Sequence, residues 1–194
     1  MIPVNDPINL QLQELSKRSK IIVFVGLPGT GKSLFINHFH HIAKSNGQQV
    51  QVIQWDVARK EFEKGDLKSF FPTEAGQVHP GVRLSAGQWL LSYLKSWSQR
   101  KLVDKQNILL IEAPLVGNRF SELCHIQEDI KLEKVLQSEI IQFVLAVPSE
   151  HVRKKIEADR IKQISETAKI WSGAKPSVMI QLWKDTLSLS LIHI

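Results

Sequence analysis

Gly26-Leu27-Pro28-Gly29-Thr30-Gly31-Lys32-Ser33 constrains this chain more than any other stretch. It fits the pattern G-x-x-x-x-G-K-[ST] at every fixed position. Residues 21–25 before it, Ile-Ile-Val-Phe-Val, read as a buried parallel strand. After it, Leu34, Phe35, Phe39, Ile42 and Ala43 recur on one broad helical face. A strand, a glycine turn and a helix in that order suit one chemistry. Glycines let backbone N–H groups turn inward around a polyphosphate, and the helix N-terminus adds its positive end. Lys32 would reach the β- and γ-phosphates and Ser33 would hold Mg²⁺. Gly26, Pro28, Gly29, Thr30, Gly31, Lys32, Ser33 and Leu34 are therefore the expected contacts of an ATP–Mg²⁺ cofactor.

The chain of 194 residues is long enough for one domain with a sizeable core. No apolar run approaches the roughly 20 residues that span a bilayer. Residues 1–10 lack a basic start followed by an apolar stretch, so no secretory signal is expected there. A single cysteine, Cys124, excludes an internal disulfide and a cysteine metal cluster, and a cytoplasmic setting is the expectation. The net charge of +6 suits a phosphorylated ligand. The basic residues are dispersed, so no nucleic-acid or membrane partner is expected, and a homodimer stays open.

Helical and extended segments alternate, which argues for a parallel sheet covered by helices. Helices are expected over residues 7–20, 32–46 (stopped by Gly47), 57–64, 149–162, 164–171 and 177–187, and strands over 21–25, 49–55, 108–111 and 140–147. Residues 66–83 carry Pro72, Gly76, Pro80 and Gly81 and read as a long functional loop. Ser85-Ala86-Gly87-Gln88 has capping-box spacing, so a helix is expected to start at Ser85. Trp89, Leu90, Tyr93, Leu94 and Trp97 follow on one face and read as core. His38, His40 and His41 are not a metal cluster, because adjacent helical residues diverge by about 100°.

Asp56 falls where the second strand ends, and ligands of such sheets sit beyond the carboxyl ends of the strands. A carboxylate there can take the proton of a substrate hydroxyl, or simply cap the next helix. Arg59, three residues on, can pair with a phosphate or carboxylate. Glu112 follows the third strand and can serve Mg²⁺ through water or accept bonds from substrate hydroxyls. His79, Arg83, Asn118 and Arg119 lie in loops on the same expected rim and are substrate-contact candidates. Arg153 and Arg160, seven apart on a basic helix, can close over a triphosphate. That helix could equally be a solvated face.

Gly26 to Ser33, Asp56, Glu112 and the segment from Val147 to Ile156 together resemble the P-loop small-molecule kinases, nearest the uridine kinase, pantothenate kinase and phosphoribulokinase group. The resemblance implies an α/β fold, the three-layer α/β/α P-loop NTPase architecture with a mostly parallel sheet, over residues 1–186. It implies transfer of the ATP γ-phosphate to a hydroxyl of a small metabolite, with Asp56 as base, Glu112 on the substrate and a lid helix after the fourth strand. Ala113 stands where that family usually has Gly, and no fifth strand is legible. Residues 187–194 look like a translated adapter tail, so truncation before a last strand is expected. The alternatives are an ABC-type or other P-loop ATPase and a nucleotide-gated binding module. Leu84-Ser85-Ala86-Gly87-Gln88 resembles the ABC signature, but the segment from Leu109 to Pro114 lacks that family's Asp.

Overall fold

Residues 21–25 form the strand their composition implies, extended by one residue. β1 spans Ile21–Gly26 and is buried along its whole length. It follows α1, Pro7–Arg18, which Asp6 caps by accepting from the Ile8 N–H at 2.8 Å. α2 is Lys32–Ser45, β2 Gln49–Gln54, α3 Leu67–Phe70, α4 Pro80–Lys101, β3 Asn107–Pro114, α5 Ile130–Leu136, β4 Ile141–Leu145 and α6 Glu150–Glu166. The computed structural model describes residues 2–54, 60–64, 66–72, 78–102, 104, 106–115, 128–166, 177, 180, 181, 183 and 184, and of 67, 68, 160 and 163–166 the main chain alone. Of the helix expected over 57–64, residues 60–64 are described and 60–62 are helical; the helix expected over 164–171 is described only to 166, where the main chain continues α6, and the tail over 187–194 lies outside the described residues.

The sheet has the order β2-β3-β1-β4 with every pairing parallel. Successive side chains of a strand point to opposite faces, so each buried strand serves two cores. Ile22, Phe24, Ile108 and Leu110 meet Leu12 of α1 and Ile36, Phe39 and Ile42 of α2. Ile21, Val23, Leu109 and Ile111 meet Leu90, Leu94 and Trp97 of α4 and Leu132 of α5. The result is three layers, α/β/α. Trp97 also donates its indole N–H to Gln51 on β2 at 3.0 Å, tying α4 to the sheet edge. Among the described residues no helix is long and apolar enough to cross a membrane.

α2 ends as its sequence indicates. Gly47 takes φ +75°, and the N–H groups of Gly47 and Gln48 reach the carbonyls of Lys44 and Ala43, a Schellman closure. The start of α4 differs from the expectation at Ser85. The helix begins five residues earlier, at Pro80, with His79 as its cap. Proline at the first helical position lacks only an N–H that would be unsatisfied anyway, so Pro80 starts the helix rather than extending a loop. The buried face of α4 is Val82, Ala86, Gly87, Leu90, Leu91, Leu94 and Trp97. Trp89 stays exposed and stacks on Tyr93 at 5.5 Å. α5 is not legible in the sequence; Asp129 caps it through the N–H groups of Lys131 and Leu132. Lys95 of α4 pairs with Asp129, and that hydrogen bond holds the Asp129 carboxyl below the usual carboxylate range.

α1 is pinned to α2 by a buried polar bond. Asn9 gives its amide N–H to the Val4 carbonyl at 2.7 Å, which leaves its oxygen to accept from His38 Nε2 at 2.7 Å. Both side chains are buried, so removing one strands the other. Asn9→Ala is expected to lower stability by about 1–3 kcal/mol in urea unfolding. A loss under about 0.5 kcal/mol would mean that the imidazole finds another partner on its own.

Candidate functional site

The direction in which each strand hands over the chain locates the site. β1 feeds α2 on one face of the sheet, while the chain leaving β3 reaches α5 on the other. β1 and β3 stay paired to Gly26 and Pro114, and Leu115 N–H still donates to Gly26 O at 3.2 Å, so the chain parts to the two faces only beyond these ends, which is where such sheets place their ligand crevice. Residues 27–31 occupy the mouth of that crevice on the β1 side.

The loop is held from within by one carbonyl. Leu27 is 2% exposed, and its C=O accepts from the Thr30 N–H at 3.3 Å, the Thr30 hydroxyl at 2.9 Å and Lys32 Nζ at 3.0 Å. Gly29 and Gly31 sit at φ +86° and +89°, left-handed values that a Cβ disfavours. Gly31 caps α2 and contributes no side chain, so no side-chain group competes for the N–H groups of the first turn. Those amides and the positive end of the helix face outward with Ser33 and Leu34, both exposed. Pro28 is half-buried beside them.

Glu112 completes the crevice from β3. It lies inside the strand and not after it, because β3 runs on to Pro114 alongside β1. The register sets Phe24, Glu112 and Gln54 in one row across β1, β3 and β2. Glu112 is about one-fifth exposed; its Oε1 lies 3.9 Å from Lys32 Nζ, and its Oε2 accepts from Gln54 Nε2 at 3.3 Å. A carboxylate oxygen and the Ser33 hydroxyl are hard donors, and Mg²⁺ is usually held by one or two carboxylates together with substrate phosphates. The residues present therefore fit that ion. On the other side of β1 the residue after β4 packs against the loop's start: the Ala146 N–H donates to Val25 O at 2.8 Å, and Ala146 O lies 3.1 Å from where a Gly26 side chain would begin.

The other sequence candidates are more spread out. His79 caps α4, accepting from the Gly81 N–H at 3.0 Å through Nδ1, and its ring lies 5.2 Å from Phe71. Arg83 is half-buried one turn on, and its Nε is enclosed with no hydrogen-bond partner among the described residues. Arg153, on the first turn of α6, lies 3.8 Å from Glu157 and stacks over the Trp183 ring at 5.6 Å. Arg160 lies on α6, with only its main chain described. Asp56, Arg59, Asn118 and Arg119 lie outside the described residues. Leu84 to Gln88 is helix interior, with Ala86 and Gly87 buried. Sequence patterning misses Gln54 and Trp183. Gln54 has one legible signal, since in the sequence it stands two residues before Asp56 at the expected end of the second strand.

This is the P-loop α/β/α fold. It stands on the parallel sheet, the helices on both of its faces and the loop geometry. No protein-family model matches the chain, and no curated protein does. Among solved structures the chain is similar to the crystal structure of APE1195, at 15% identity and a TM-score of 0.40, covering 78% of this chain and 72% of that one. It is also similar to AMPPCP-bound DnaA from Aquifex aeolicus, at 17% identity and a TM-score of 0.39. That match covers 90% of this chain and 53% of DnaA, so the chain spans about half of that protein.

The P-loop of this chain tolerates no side chain at Gly26. A Cβ there would lie 2.6 Å from Thr30 Oγ1 and 3.1 Å from the Ala146 carbonyl. Gly26→Ala is expected to cost about 1–3 kcal/mol in chemical denaturation. Gly47→Ala meets open space and only the positive φ, so about 1–2 kcal/mol is expected there. Gly26→Ala folding as stably as the wild type would show that the loop and β4 are looser than these contacts.

Proposed function

We propose that this protein binds a nucleoside triphosphate with magnesium at Gly26 to Leu34 and transfers the γ-phosphoryl group to a hydroxyl of a small metabolite, a nucleoside, sugar or pantothenate-like alcohol. The observation that carries the reading is the meeting of Lys32 Nζ and Glu112 Oε1 at 3.9 Å in the crevice between β1 and β3. A cation from the loop and a carboxylate from the next strand flank the place where terminal phosphates would lie.

Phosphoryl transfer asks a protein for positioning and charge neutralisation more than for covalent chemistry. The first-turn amides of α2 would take the phosphate oxygens, and Lys32 would exchange the Leu27 carbonyl for the β- and γ-phosphates. Ser33 and Glu112 would hold magnesium, which neutralises charge between those phosphates when bound. The acceptor oxygen attacks the γ-phosphorus, the bond from that phosphorus to the β,γ-bridging oxygen breaks, and the nucleoside diphosphate leaves. Asp56 would take the acceptor's proton, and Arg153 and Arg160 would offset the charge that develops. Arg59, His79, Arg83 and Arg119 would contact the acceptor, with the His79 ring doing so by its free edge. Support for the acceptor side is the likeness of Asp56, Glu112 and the α6 segment to the kinase pattern.

One screen tests this. ADP release is followed with nucleosides, sugars and pantothenate-like alcohols, and is expected to depend on one class of acceptor. Lys32→Ala is expected to weaken magnesium–ATP binding about 10- to 100-fold, the weight of a charge-assisted bond. Asp56→Asn is expected to lower turnover about 10²- to 10⁴-fold while ATP affinity stays within about threefold. ADP released equally without any acceptor would replace the kinase with an ATPase. Tight nucleotide binding without turnover would make the protein a binding module.

A further inference from the structure

The row Phe24–Glu112–Gln54 leaves one polar side chain without a role in the chemistry above. Gln54 ends β2, and its Cα is paired in register with that of Glu112. Parallel neighbours lie about 4.8 Å apart and in-register side chains share a face, so the amide of Gln54 stands beside the carboxylate of Glu112. The contact is specific in its atoms. Gln54 Nε2 donates to Oε2 at 3.3 Å, while Oε1 is the oxygen turned to Lys32. The two oxygens of one carboxylate are thus assigned to two different partners on its two sides.

We propose that Gln54 is a positioning residue that aims Glu112 at the phosphate loop. The inference rests on the nucleotide-binding reading given above. Among the described residues Glu112 has two polar partners, Lys32 and Gln54, and in that reading Lys32 is required elsewhere during function. When Lys32 turns to a phosphate, the contact at 3.9 Å is given up, and a carboxylate on a flexible side chain would then be free to swing out of the crevice. The Gln54 amide keeps hold of Oε2 and so keeps Oε1 directed at the loop and its metal. A neutral amide suits this role, because it donates a hydrogen bond without adding charge next to the ion that Glu112 serves. Such outer partners of a metal ligand commonly carry a tenfold or larger effect although they touch neither metal nor substrate. The bond is long at 3.3 Å, as such contacts often are before a substrate draws the site together.

The test is nucleotide binding by calorimetry over a series of magnesium concentrations, which needs no acceptor and no turnover. Gln54→Met keeps the length of the side chain and removes the donor. It is expected to raise the magnesium concentration for half-maximal nucleotide affinity about tenfold, with the thermal midpoint and the magnesium-free affinity unchanged. In a Glu112→Ala background the same substitution is expected to change nothing further, because its effect passes through the carboxylate. Gln54→Met matching the wild type at every magnesium concentration would overturn the proposal. So would an effect of equal size in the Glu112→Ala background, which would make Gln54 a support of the sheet edge. A wild type that binds no nucleotide with or without magnesium would instead overturn the reading of the site, and this inference with it.

Discussion

The site depends on β3 lying directly against β1. Six residues of each strand are in register, from Ile21 opposite Leu109 to Gly26 opposite Pro114. Both strands are buried on both faces, and each fully buried aliphatic side chain is worth about 1.5–3 kcal/mol. Sliding β3 by one residue would send Leu109 and Ile111 into the core now filled by Ile108 and Leu110, and the reverse. Two cores therefore specify one register. Glu112 inherits that precision, since it is a member of the same strand and lies on the α2 face of the sheet. Its distance from Lys32 follows from packing that has nothing to do with chemistry.

The loop depends on a second, smaller constraint. Three donors converge on the Leu27 carbonyl, two from Thr30 and one from Lys32. The Thr30 bonds close the turn and remain available whether or not Lys32 stays. A net hydrogen bond is worth only about 0.5–1.5 kcal/mol, and one to a charged group about 1.5–3. Lys32 is therefore held in a defined place by an interaction weak enough for a polyphosphate to displace. Gly31 adds to this by capping α2 without a side chain, so the amides of the first turn are not consumed by the protein itself.

The features legible in the sequence are those fixed by local stereochemistry. The strand–turn–helix unit, the stop at Gly47 and the parallel alternation follow from glycine φ values and hydrophobic period, and both are visible in one dimension. The start of α4 is misplaced by sequence because Ser85 and Gln88 offer a familiar capping pattern, while the operative cap, His79, uses a ring nitrogen that ranks low among cap residues. Its tertiary support is Phe71, whose ring fills the space where a Gly81 side chain would begin; this is a contact the sequence does not announce. α5 escapes notice because seven residues are too few to display a helical period. Glu112 is singled out as a candidate by its place near a strand end, but its polarity reads as an end to the apolar run and so sets it beyond its strand. Gln54 is marked in the sequence only by its closeness to Asp56, and the register of β2 on β3 gives it its partner.

Arg153 illustrates how an expectation about charge changes once partners are known. In the sequence it is one basic residue on a basic helix. In the structure it stands on the first turn of α6, with Glu157 at 3.8 Å and the buried Trp183 ring below it. A cation–π contact of this kind is worth about 0.5–2 kcal/mol, and a partly exposed ion pair about 0–1. In the reading proposed above, the guanidinium has to leave these partners to reach a triphosphate. The combined hold of about 0.5–3 kcal/mol is comparable to one or two charge-assisted bonds to phosphate. In that reading Trp183 and Glu157 would not prevent the movement; they would set how much phosphate charge must be present before it becomes favourable.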